Sequence, residues 1–249
     1  MKQASKKLLN NLIQAVVLFA VMVALWYAAA ALVHSELILP QPHEVLILTF
    51  SLLGKGSVYL ALTYTLLRAV AAFAFSLGVA TLLSLLVGCY EKSKFAVNAV
   101  VTFLRALPTI AVILVTLIIF NSFITPIIVA FLVVFPVIFD LIDRTLSHNV
   151  KLLNLCKVYR VKRAKKVRLV LFPLICEELP AIIKENLPLC VKIVVAGEVL
   201  ALPLKGIGRE MYVGKVNLDT ASVVALTILI LVVCFIINCI VSLVERCKK

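Results

Sequence analysis

The sequence predicts an all-α polytopic membrane protein with six transmembrane helices. Three observations lead there. Of its 249 residues, 63% are hydrophobic, against about 45–50% in an ordinary soluble domain. The apolar residues gather into six runs, several near the ~20 residues that cross a bilayer as a helix. The charge lies mostly between those runs, and one polar stretch is strongly basic.

The runs fall at 12–33, 60–88, 106–121, 124–142, 178–201 and 220–243. The first follows Lys2, Lys6 and Lys7 and ends near Ala28–Ala31, as a signal peptide would. It is about twice the length of a signal h-region, so a retained helix is expected. The Trp26-Tyr27 pair near its outer end reads as an aromatic belt. The third run is short. The segment 95–105 before it suits a helix along the interface, with Pro108 opening the span, since proline is accepted in a first turn. In the fifth run Pro188 removes the hydrogen bond to the Lys184 carbonyl and predicts a kink. The chain reads as a cytoplasmic tail (1–11) and a single transmembrane domain (12–249). No internal repeat or low-complexity tract is visible.

Charge sets the orientation. From Arg144 to Arg168 there are nine basic residues and no acidic one. Such a stretch stays on the cytoplasmic side. With the N-terminus inside, the inner segments carry 17 of the 25 Lys and Arg, and the outer loops four: Lys55, Lys205, Arg209 and Lys215. Both termini are therefore expected in the cytoplasm. The net charge of +13 is explained by anionic headgroups and this bias. No nucleic-acid motif frames it, so no nucleic-acid partner is expected.

No enzyme is predicted. There is no G-x-x-x-x-G-K-[ST]; Gly54-Lys55-Gly56-Ser57 has the wrong order, so no ATP site belongs to this chain. No nucleophile elbow or catalytic carboxylate pair is present. The seven cysteines form no C-x-x-C, the histidines are scattered, and neither a metal site nor a disulfide is expected.

Two stretches bring a family into view. Leu39-Pro40-Gln41-Pro42-His43-Glu44-Val45 follows the first run, and the basic loop runs into Leu171-Phe172-Pro173. Both resemble permease subunits of binding-protein-dependent ABC importers of the nitrate/sulfonate/taurine branch. That branch has an L-P-x-P-x-x-V stretch, and a cytoplasmic E-A-A-x-x-x-G signature followed by a proline. By spacing, E-A-A falls on Asn154-Leu155-Cys156, the glycine on Arg160 and the proline on Pro173. Thr63-Tyr64-Thr65-Leu66-Leu67-Arg68, Leu104-Arg105-Ala106-Leu107-Pro108, Lys192–Glu198 and Gly206-Ile207-Gly208 are similar to further family elements, in order, over about 30–245.

The resemblance implies a type I importer fold and a bacterial inner-membrane location. It implies a second permease copy or paralogue, two ATPase subunits that use ATP and Mg, and an extracytoplasmic binding protein meeting the loops 34–59 and 202–219. The loop at about 144–173 would dock on the ATPase through Asn154, Leu155, Cys156, Tyr159, Arg160, Lys162, Arg163 and Pro173. Loss of the acidic first residue removes any salt bridge from that position. Arg160 in place of glycine argues against a tight turn there. Leu152, Leu153, Leu155, Val158 and Tyr159 alternate with the charges as in an amphipathic helix lying in a groove. The other reading of the loop is a topogenic anchor held by lipid. An ATP-independent carrier or channel is the alternative function, although no related halves are seen.

Three residues are candidates for the translocation path: Lys192, Glu198 and Arg68. Counted from Glu178, Lys192 lies roughly 21 Å into the fifth run, where an ammonium must face protein or water. It either lines the path, attracting an anion, or pairs with an acidic residue such as Asp140. Glu198 either lines an outer gate or caps backbone donors. Arg68 suits an interhelical ion pair, and Arg105 suits snorkelling to the inner interface. The branch handles small anions and vitamin precursors; the substrate itself is not specified by these residues.

Overall fold

A computed structural model describes residues 2–33, 35, 37–90 and 92–247. His34, Lys248 and Lys249, included in the counts above, lie outside the described residues. The protein is 87% helix, and no strand occurs among the described residues. By contacts the chain divides into two compact units, Met1–Gly56 with Val213–Leu229, and Ser57–Tyr212 with Ile230–Lys249.

The first unit holds α1 (Lys2–Val33), α2 (Pro42–Leu53) and the N-terminal part of α11 (Thr220–Cys247). Pro42 opens α2 because its missing N–H is not needed in a first turn. The Gln41 N–H donates to Glu44 Oε2 at 3.3 Å. Trp26 Nε1 donates to the Pro40 carbonyl at 3.2 Å, and Tyr27 stacks on His43 with centroids 6.3 Å apart. The aromatic pair read as a belt thus also fastens the two-proline stretch to α1.

The second unit holds α3 (Gly56–Cys89), α4 (Ser93–Ala106), α5 (Thr109–Ile119), α6 (Thr125–His148), α7 (Val150–Val158), α8 (Arg163–Lys166), α9 (Phe172–Ala201), most of α10 (Ile207–Val216) and the C-terminal part of α11. Its centre is α6 against α9. Gly197 of α9 lets them meet closely: a Cβ there would stand 3.0 Å from Pro126 Cα. Small side chains on α3 (Ala61, Ala69, Ala72, Ser76, Ala80, Ser84) form its buried stripe, as membrane helices use to approach closely. One such approach is to α9, where Cys190 Sγ reaches the Ala69 carbonyl at 3.2 Å. Phe75, Phe131, Phe135 and Phe139 stack in sequence between α3 and along α6, with centroids 4.8 to 6.5 Å apart.

Among the described residues four helices are long and apolar enough to cross a membrane: α1 over Val16–Val33, α3, α6 and α11. The pair α4 and α5 makes a fifth if taken as one broken span, bent by 95°. The break follows from Pro108, which pushes Leu107 into extended backbone and ends α4. The fifth predicted run is a continuous 30-residue helix, α9. It carries Glu177, Glu178, Lys184, Glu185, Lys192 and Glu198, and so differs in composition from the others. It begins six residues before the predicted run, at Phe172-Pro173, where proline is accepted in a first turn.

Candidate functional site

The basic segment folds as a short helix, a tight turn and a wide turn. The Val161 N–H reaches back to the Cys156 carbonyl at 2.9 Å, and the Arg160 N–H to Lys157 at 3.1 Å. This is the Schellman closure of α7, with Arg160 at its left-handed position, φ 48°. The expectation that Arg160 opposes a tight turn is therefore corrected. The turn forms with an arginine in the glycine's place, at the strain a Cβ brings to that backbone. Helix α8 then passes into a π-helical turn, Val167–Leu171, where the Phe172 N–H bonds the Val167 carbonyl. Pro173 has no N–H to offer and its ring crowds the preceding turn, so the wider winding relieves both.

Three contacts hold this segment to the C-terminal end of α3. Lys166 Nζ donates to the Gly88 carbonyl at 2.6 Å. Arg163 Nη1 donates to the Tyr90 hydroxyl at 3.2 Å, its guanidinium 4.4 Å above the ring. Leu171 is fully buried and fills the space over Gly88, where a Cβ would come within 2.9 Å of Leu171 Cδ1. A cation at a helix C-terminus also meets the negative end of its dipole. The outward side of α7 is left apolar and uncovered. Val158 and Tyr159 are each 76% exposed, and Leu152 and Leu155 are exposed beside them.

Of the residues predicted to couple, Asn154, Leu155, Tyr159, Arg160 and Lys162 face outward, Pro173 is exposed at the head of α9, and Cys156 turns inward. Arg163 is exposed yet engaged with Tyr90. Sequence reasoning missed Tyr90 and Gly88. Their only signal is position, at the end of a long apolar run and more than 70 residues before their partners.

A second site lies within the bundle. Glu198 is 0% and Arg68 3% exposed. Arg68 Nη1 donates to Glu198 Oε1 at 2.6 Å and to the Lys205 carbonyl at 2.8 Å. Glu198 Oε2 accepts from Thr65 Oγ1 at 2.9 Å and from the Gly208 N–H at 3.0 Å. The Ile207 N–H donates to Thr65 Oγ1 at 2.9 Å. The carboxylate thus sits at the N-terminus of α10, where unpaired amides and the helix dipole favour an anion. Phe123 lies under the guanidinium at 4.9 Å. The Gly-Ile-Gly triplet has a steric cause: a Cβ on Gly206 would stand 2.6 Å from Glu198 Oε2, and one on Gly208 2.5 Å from Glu198 Cβ. The cluster ties α3, α9 and α10 together. Arg68 forms the interhelical pair expected of it, and Glu198 caps backbone donors. Neither faces an open channel within this chain.

Lys192 is placed differently. It is exposed, on one stripe of α9 with Glu185, Ala196 and Leu200. It makes no ion pair among the described residues. The suggested partner Asp140 is taken by Arg105, which is half-exposed, so the pairing of Lys192 with Asp140 is corrected. Lys94 pairs with Asp143 at 3.2 Å.

No group of three or more metal-ligating side chains is assembled among the described residues. Comparison with known protein families and with curated proteins finds no match for this chain.

Proposed function

We propose that this chain is the transmembrane permease subunit of an ATP-driven importer, of the six-span type I kind resembled by its motifs. It lies in a bacterial inner membrane with both termini cytoplasmic. A second copy or a paralogue completes the path, two ATPase subunits dock beneath, and a binding protein delivers a small solute, a sulfonate- or nitrate-like anion or a vitamin precursor.

The observation that carries the reading is the geometry of 150–173. A short amphipathic helix, closed by a tight turn at the position of the family's glycine, presents an apolar face rimmed by lysines. The turns that follow it, 163–171, are fastened to the end of a long apolar helix. A soluble partner that grips Leu155, Val158 and Tyr159 therefore pulls on α3 through Lys166 and Arg163, and on α9 through the continuous chain. ATP closure of the partner dimer supplies the differential binding energy that favours one arrangement over the other. The permease contributes no covalent chemistry. The unpaired Lys192 stripe supports a place for that residue on the path, since a cation at membrane depth must find water, protein or an anion.

Charge reversal at the exposed Lys162 and Lys165, which do not brace the segment against α3, is the test. With the cognate ATPase present, substrate-stimulated ATP hydrolysis should be lost while the protein still inserts and folds. Stimulation at the wild-type level would overturn the reading.

A further inference from the structure

Helix α2 has two unlike sides. One is packed: Pro42, Val45 and Leu52 are buried. The other carries Leu46, Ile47, Phe50 and Leu53, which are 43 to 72% exposed. Positions 46, 50 and 53, with 47 beside them, recur at helical spacing and make one continuous apolar face. The helix contains no Lys or Arg. Its hydroxyls bond to its own backbone: Thr49 Oγ1 donates to the Val45 carbonyl at 2.7 Å and Ser51 Oγ to the Leu48 carbonyl at 2.8 Å. Glu44 accepts from the Gln41 N–H at the cap. Polar groups satisfied within the helix make no demand on water, as a lipid environment requires.

Depth decides what covers the exposed face. In α1 the apolar window Val16–Val33 measures about 27 Å, close to the ~30 Å of bilayer hydrocarbon. Polar Gln14 lies just before it and Ser35 just after, so the window has little freedom to slide. Trp26 stands about 10 Å before its end. Trp26 nevertheless holds the Pro40 carbonyl, and Tyr27 stacks on the His43 ring. The start of α2 is therefore folded back alongside α1, below the end of the apolar window. With 12 residues, about 18 Å, α2 is too short to cross the bilayer. Exposed Lys55 follows it and returns the chain to headgroup level. An apolar face held at that depth meets lipid.

We propose that α2 is lodged in the leaflet where α1 ends, with Leu46, Ile47, Phe50 and Leu53 against the acyl chains of the surrounding lipid. Burial of that face anchors the helix, and Trp26 and Tyr27 join the anchor to α1. The face is thereby closed to a soluble partner on the same side. The proposal needs α1 to span the membrane and does not depend on the transport reading.

The test uses the full-length wild-type protein in phosphatidylcholine vesicles that contain a trace of phosphatidylcholine with a diazirine in its acyl chain. After photolysis, adducts are mapped by proteolysis and mass spectrometry. Leu18 and Leu25 of α1, each 64% exposed, serve as the standard for contact with lipid. Leu46 and Ile47 should match that standard and carry roughly fivefold or more the adducts of the buried Val45 and Leu52. A labelled α1 with an unlabelled α2 overturns the proposal. Reaction of the face with a water-soluble diazirine would then show it open to a soluble partner, and protection from both reagents would show it covered by a second copy of the chain. Equal labelling of the two sides of α2 also overturns the proposal. Absence of label from Leu18 and Leu25 would remove the span on which the depth rests, and the proposal with it.

Discussion

At the scale of single residues, the buried Arg68–Glu198 pair is where a small change has the largest effect. Replacing Glu198 by Gln leaves a guanidinium in the interior with no counter-charge. Breaking a buried pair from one side typically costs about 3–5 kcal/mol, so Glu198→Gln should lower the thermal midpoint sharply. Arg68→Met with Glu198→Leu should cost less than the sum of the single changes, since neither charge is then left alone. A double-mutant cycle by thermal unfolding in detergent checks both. Arg160 offers the opposite sign. Glycine fits a left-handed C-cap without the Cβ strain, so Arg160→Gly should be neutral or stabilising, by up to about 1 kcal/mol. The sequence marks Glu198 and Arg68 as unusual in apolar surroundings. It does not pair them, because 130 residues separate Arg68 from Glu198 and pairing is made by helix packing. At Arg160 the missing glycine misled: an αL position tolerates an arginine when two backbone hydrogen bonds close over it.

At the scale of elements, the joint between α3 and the basic segment is the vulnerable one. Any side chain on Gly88 meets Leu171. Gly88→Val should loosen the segment with a cost of about 1–3 kcal/mol for overpacking, read as faster proteolysis within 150–171. Gly197→Leu should force α9 from the backbone of Pro126 and lower the yield of folded protein. Most helices were legible because apolar runs of this length have few other destinies in a bilayer. The break at Pro108 was legible because proline restricts the residue before it. Helix ends were less so. Hydropathy marks the most apolar stretch, and α3 and α9 both begin several residues before the predicted runs. The docking of Arg163 on Tyr90 leaves no periodic trace in the sequence.

For the whole molecule, orientation is the property on which most else rests. A single cysteine placed at residue 160, with the natural cysteines replaced, should resist a membrane-impermeant thiol reagent in intact cells and react once the cells are opened. Labelling from outside would invert the topology. Lys192→Met should impair uptake without impairing insertion, and normal uptake would remove Lys192 from the path. The 95° break between α4 and α5 carries one more consequence. Helix α5 has 11 residues and climbs only about 16 Å, while Arg105 and Asp140 hold the end of α4 beside α6. An apolar wall of that height is about half of the ~30 Å of bilayer hydrocarbon, so lipid beside α5 would have to thin or tilt there at a cost for every ångström of mismatch. Longer lipid chains should accordingly strain α5 before the full-length helices, read as faster hydrogen exchange over 109–119 in long-chain than in short-chain bilayers.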